Sequence, residues 1–274
     1  MRPLWKGAVS FGLIYVPVKM YSATEKKDVK FNYLHEKCKT PIQYRKYCPH
    51  CETEIPHEEV VRGYEYEKGK YIIMQEEEFE RLPGEKTRSV EILDFVDLSE
   101  IDPIYYDKAY YLAPGEGGQK VYELLRRSMG ETNKVAVARV VIRSKEALAV
   151  LRTAENVLMM STMYYPDEVR NPAAIDELGY RVDLHDNEVK MALNLVENLS
   201  SHFEPKKYTN RYREALMEAI QAKITGEEIE VPAAPETANV VDLMSALKAS
   251  IDLAKKQRGE DKETAPAVRR RRTV

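Results

Sequence analysis

Apolar side chains recur at every second position near the start of the chain, at Val9, Phe11, Leu13 and Tyr15, a period that predicts a strand over residues 8–16. Segments rich in Val, Ile and Tyr predict further strands over 29–34, 71–74, 90–96, 110–112, 134–143, 147–152 and 157–163. Two helices interrupt them. One is short, over 76–82. The other covers 118–129, with Val121, Leu124 and Leu125 at helical spacing and Gly130 placed to end it. Strands that outnumber helices in this way predict a mixed α+β, mainly β fold, with a barrel or strongly curved sheet rather than a doubly wound one.

From residue 186 the period changes. Val189, Ala192, Leu193, Val196 and Leu199 form one helical stripe, and Tyr212, Leu216, Ala219 and Ile220 form another, closed by Gly226. Residues 227–237 carry two prolines among small and acidic residues and read as a linker. A third helix is expected over 238–258, with Asn239 as its cap and Val240, Leu243, Met244, Leu247 and Ile251 as its apolar face. Residues 259–274 lack periodicity and read as a disordered basic tail. No internal repeat is found.

Composition sets the limits. The chain has 274 residues, 43% apolar and 32% charged, enough for one large core or two modest ones. Its mean hydropathy is −0.51, and no run of about 18 apolar residues predicts a membrane-spanning helix. An apolar stretch over 8–18 behind Arg2 and Lys6 imitates a secretory leader, but Pro17 and Lys19 break it. Three cysteines, an odd number, point to a reducing cytoplasm. The net charge of −3 hides an asymmetry. Residues 255–274 hold eight basic residues against three acids, a net +5, which leaves −8 on the rest of the chain.

The sharpest local signal is LHEKCKTPIQYRKYCPHCETEI. His35 and Cys38 are separated by two residues, Cys48 and Cys51 by two more, and nine residues lie between the pairs. Two such knuckles suit a tetrahedral Zn²⁺, closed to water and therefore structural. His50 and His57 are rival fourth ligands, and a loop of ordinary reduced thiols is the alternative. Lys37, Lys39, Arg45 and Lys46 flank the cysteines, interleaved with Tyr44 and Tyr47, a mixture suited to nucleic acid. On the strand over 134–143, Arg139 and Arg143 share a side, and Lys145 and Arg152 follow on the next strand. Repeated arginines suit successive phosphates. Partnering by the abundant acids is the competing explanation.

Enzymatic motifs are missing: there is no phosphate-loop GxxxxGK[ST], no GxGxxG, HExxH or GxSxG, and no KxDG nucleotidyl-transfer lysine. The acid runs at 76–78 and 94–102 read as a helix start and a turn. The chain is expected not to be an enzyme.

Four blocks resemble one family, the bacterial Ku proteins of non-homologous end joining: LWKGAVSFGLIYVPVKMYSAT, VVRGYEYEKGKYIIMQEEEFERL, KVAVARVVIRSKEALAVLR and ALNLVENLSSHFEPKKYTNRYREALMEAIQAKITGEE. They occur in the family's order across residues 1–226. The resemblance implies a Ku-type β-barrel core with a bridge over 1–185, including the metal-ligand segment 35–51, and a helical dimerisation arm over 186–226. It implies a homodimeric ring, without catalytic residues, that threads onto duplex DNA ends and recruits and stimulates the multifunctional bacterial end-joining DNA ligase. A nucleoid-associated cytoplasmic location follows. A basic extension of the family's kind is present as APAVRRRR from Ala265.

Such a ring grips backbone phosphates and need not read bases, so a modest basic lining is sufficient. The candidate DNA-binding residues are Lys6, Lys30, Arg45, Lys46, Arg139, Arg143 and Arg152, with Lys19 and Lys70 behind them. Arg269, Arg270, Arg271 and Arg272 add a flexible contact. Leu193, Val196, Leu199, Tyr212, Leu216 and Ile220 are the candidate dimer seam, with packing inside one subunit as the alternative. Two other readings remain open: a zinc-ribbon factor of transcription or translation, and a metal-dependent nuclease using the acid runs.

Overall fold

The computed structural model describes residues 1–81, 88–142, 145–226 and 244–253. The chain forms two compact units, Met1–Ala174 and Ile175–Val274.

The first unit is built on seven strands: β1 (Trp5–Phe11), β2 (Ile14–Ser22) and, after the small hairpins β3 (Tyr47–Cys48) with β4 (Thr53–Glu54) and β5 (Arg62–Glu67) with β6 (Lys70–Met74), β7 (Ser89–Asp97), β8 (Tyr106–Pro114), β9 (Lys134–Ile142), β10 (Lys145–Ala154) and β11 (Val157–Met163). β1, β2, β8, β11, β10, β9 and β7 close in that order into a barrel. Neighbours are antiparallel except at the closing seam, where β7 runs parallel to β1. The barrel anticipated from the strand-rich pattern is the fold observed.

Alternation along each strand fills the interior. Val16, Val18 and Met20 of β2 point inward, and so do Val9 of β1 and Ala136, Ala138 and Val140 of β9. Burying each larger aliphatic side chain contributes about 1.5–3 kcal/mol. α2 (Gln119–Thr132) adds Tyr122, Leu125 and Met129 to the same core. The Tyr122 hydroxyl donates to the Leu112 carbonyl at 2.6 Å and accepts from the Leu158 amide at 2.8 Å, so a buried phenol ties β8 to β11. Gly118 caps the start of α2 against Pro17. A Cβ there would lie 2.9 Å from the proline ring, so the close approach requires glycine.

Three local expectations differ. Residues 8–16 form a hairpin and not one strand, because Gly12 turns the chain at φ +56° and Phe11 pairs with Ile14. Leu13 then sits fully exposed at the tip, and Tyr15 is exposed as well. No strand forms over 29–34, where only Leu34 bridges to Pro41. Its Phe31 and Tyr33 are exposed, with no sheet face to pack on, and β propensity alone does not hold a strand. α2 passes through the exposed Gly130 and ends at Asn133, whose left-handed backbone (φ +53°) lets its amide bond the Met129 and Gly130 carbonyls. The pattern also gave no warning of β5, which is exposed along its length. α1 (Glu76–Glu80) follows β6 and starts with a capping box between Gln75 and Glu78.

In the second unit, α3 (Asp186–Leu199) and α4 (Arg211–Thr225) fall where the stripes put them. Asn210 caps α4 by accepting from the Arg213 amide, and Gly226 ends it at φ +78°. Residues 244–253 are helical, with Met244, Leu247 and Ile251 half-buried. The compact units divide at 174/175, ahead of the boundary expected at 185/186. The expected linker, the start and end of the third helix and the basic tail lie outside the described residues.

Candidate nucleic-acid interface

Because the barrel interior is packed, its charged side chains stand on the outside. On β1 and β2, Lys6 pairs directly with Lys19, and Lys19 in turn lies beside Ala113 of β8. Neither lysine has an ion-pair partner among the described residues. Like charges facing across a strand pair repel each other, and an anion such as a phosphate relieves that repulsion. Two residues further along β2, Tyr21 faces Tyr111, which faces Met159, which faces Arg152. One outward row thus crosses four strands from tyrosine to arginine. Tyr21, Tyr111 and Met159 line a depression of about 750 Å³ together with Met1, Ala154, Glu155 and Val157. Arg152 is half-buried near Tyr106, whose phenol is pushed up by burial and partly drawn back by the arginine's charge.

The other candidates are placed differently. Arg139 bonds Glu91, its cross-strand neighbour on β7, at 3.3 Å. Arg45 holds both carboxylate oxygens of Glu54, at 2.9 and 2.7 Å, and Lys70 bonds Glu67 at 2.6 Å. These pairs are exposed, and such pairs contribute only about 0–1 kcal/mol, so exchange of the acid for a phosphate costs little. The Lys46 ammonium lies 3.4 Å from Nδ1 of His57. Lys30 is exposed and has no ion pair among the described residues. Arg143 and Arg269, Arg270, Arg271 and Arg272 lie outside the described residues. The Tyr21–Tyr111–Met159 row was not foreseen, since only the strand register brings those residues together.

On the second unit, Leu193, Val196, Leu199 and Tyr212 are 58%, 63%, 59% and 78% exposed, while Leu216 and Ile220 are half-buried. Four large apolar side chains on these two helices thus stand in water.

The metal-ligand residues form two pairs. His35 Nδ1 lies 3.1 Å from the Cys38 sulfur, and Cys48 and Cys51 flank one tight turn, each shifting the other's thiol. Hydrogen bonding from Thr40, then from His35, draws the Cys38 thiol down to about 7. Backbone amides of the turn lower Cys48, while the bond and charge of Cys48 raise Cys51. All three thiols are free. Among the described residues no three metal-binding side chains gather at one point. The acid runs have local roles: Glu78 caps α1, Asp97 pairs with Lys134 at 2.9 Å, and Asp102 caps a short turn at Ile104.

This arrangement defines a β-barrel protein of the mainly β, α+β class, with two lysines facing each other on the outside of its first hairpin and a helical unit bearing exposed apolar stripes. The chain belongs to the Ku family: the Ku70/Ku80 beta-barrel domain matches residues 10–191. Relatives named non-homologous end joining protein Ku include that of Symbiobacterium thermophilum, 54% identical over 94% of this chain and 64% of its own length. Those of Heliobacterium modesticaldum and Bacillus subtilis are 47% and 43% identical, over 99% and 97% of this chain and 98% and 87% of theirs. The chain therefore spans less than two thirds of the first relative and most of the other two. No helix among the described residues is long and apolar enough to cross a membrane.

Proposed function

We propose that this chain binds double-stranded DNA ends without reading their sequence, as a ring-shaped homodimer in the nucleoid. It serves double-strand break repair by non-homologous end joining, recruiting and stimulating the end-joining DNA ligase and performing no catalysis itself. The observation that carries the reading is the near full-length similarity to relatives named for end joining. Lys6 and Lys19, which have no ion-pair partner among the described residues, agree with it, because a sleeve around duplex DNA needs cations for phosphates and no groups for base edges. The exposed stripes of α3 and α4 supply an apolar surface for the second copy.

Threading gives the test. Linear duplex and the same duplex closed into a circle are compared by mobility shift at one salt concentration. The linear form is expected to bind and the circle to stay free. Equal retention of both forms overturns end-dependent encirclement.

A further inference from the structure

We infer that the depression on the outer wall of the barrel takes an unpaired nucleotide from a single-stranded extension of a DNA end, its base on Tyr21, Tyr111 and Met159 and its phosphates on Lys19 and Arg152. The site rests on the end-binding function proposed above and adds a place for the strand that has no complement.

Strand register builds it. Tyr21 on β2, Tyr111 on β8 and Met159 on β11 stand side by side, and Arg152 on β10 ends the row. All four lie on the outer face, because their neighbours Met20, Leu112, Leu158 and Leu151 fill the interior. With strands about 4.8 Å apart, two phenol rings and a thioether cover a span of about 10 Å. The depression of about 750 Å³ falls inside the range of about 300–1,000 Å³ common for pockets that take small organic ligands.

The chemistry of the row selects the ligand. Bases inside a duplex are stacked on one another and present only their edges, whereas an unpaired base has a free face. Aromatic side chains on a basic surface stack such faces with little regard to sequence. Charge complementarity points the same way. Lys19, which faces Lys6, is one same-side step of about 7 Å from Tyr21, and Arg152 closes the row at its other end. None of these three cations has a carboxylate partner among the described residues. In a single strand each base is flanked by two phosphates, and here aromatic surface is flanked by cations on both sides.

Glu155, in the turn between β10 and β11, also lines the depression. Its carboxylate repels phosphate and accepts from the exocyclic amine that cytosine, adenine and guanine carry and thymine lacks. The backbone therefore belongs on the lysine and arginine sides, and the base edge toward Glu155.

The test uses the full chain and one duplex carrying a short extension of cytosines or, with the same phosphates, of abasic sugars, on either strand. Competition mobility shifts at one salt concentration should favour cytosine by about 5- to 150-fold, the value of one base stacked on an aromatic side chain. Tyr111→Ala should lose that ratio and Tyr111→Phe keep it, with thermal melts confirming that both variants fold. A thymine extension should bind less tightly than the cytosine one; the reverse order removes Glu155 from the site. Equal affinity for cytosine and abasic extensions, or a ratio that survives Tyr111→Ala, overturns the site. If blunt linear duplex is still bound and the closed circle left free, the end-binding function stands without it. Equal retention of linear and circular duplex instead overturns that function, and this site with it.

Discussion

Lys6 and Lys19 face each other across the first hairpin of the barrel, two ammonium groups on adjacent strands with no carboxylate beside them among the described residues. Replacing both with alanine removes an unfavourable pairing, so stability should hold or rise by about 0.2–1 kcal/mol. Binding to linear duplex should weaken, and the slope of log affinity against log salt should fall by about 0.9 for each phosphate no longer neutralised. A salt titration of the double variant checks this, and an unchanged slope rejects the hairpin as a phosphate-binding element.

Tyr122→Phe deletes one hydroxyl and leaves two buried backbone groups, the Leu112 carbonyl and the Leu158 amide, without that partner. The expected cost is about 2–3 kcal/mol. For a domain of this size that lowers Tm by roughly 4–12 °C. A thermal melt of the variant reads the shift, and a fall below about 1 °C would show that the barrel does not depend on the bridge.

Charge placed on the helical unit tests association. Leu193→Glu with Val196→Glu should shift the chain to monomer in sedimentation and abolish retention of linear duplex, while leaving the barrel's melting unchanged. A variant that stays dimeric would move the seam away from α3.

Deleting residues 259–274 removes Arg269, Arg270, Arg271 and Arg272. The salt slope should drop by up to about 0.9 for each phosphate the tail neutralises, with no change in the melting of the first unit. Equal slopes for the full and shortened chains would leave the tail without a role in DNA binding.

Where the sequence was legible, a regular pattern or a run of strand-forming residues marked the element. The Val- and Ile-rich segments over 90–96 and 134–143 became β7 and β9, and the stripe at Leu193, Val196 and Leu199 became α3, although that stripe stands exposed. It misled where one residue reset the geometry: Gly12 converts a continuous period into a hairpin, and Asn133 takes over the helix stop that the pattern assigns to Gly130. It was mute where nothing is buried. β5 has no inward side, so its RGYEYE carries no alternation of burial to read. The cation positions were visible as letters, but which of them face an acid, as Arg139 faces Glu91, is decided by register between strands far apart in the chain.

The parallel seam has one more implication. β2 leaves the barrel on one side of β1 at Ser22, and the chain re-enters at Ser89 on the other side, beside the same strand. The excursion between them is tethered at both ends to the wall it departs from. Lengthening such a tether is thermodynamically mild, about 0.6 kcal/mol for each doubling. Insertions and deletions between 23 and 88 can therefore accumulate over evolution, or be engineered, without rewriting the seven-stranded cylinder.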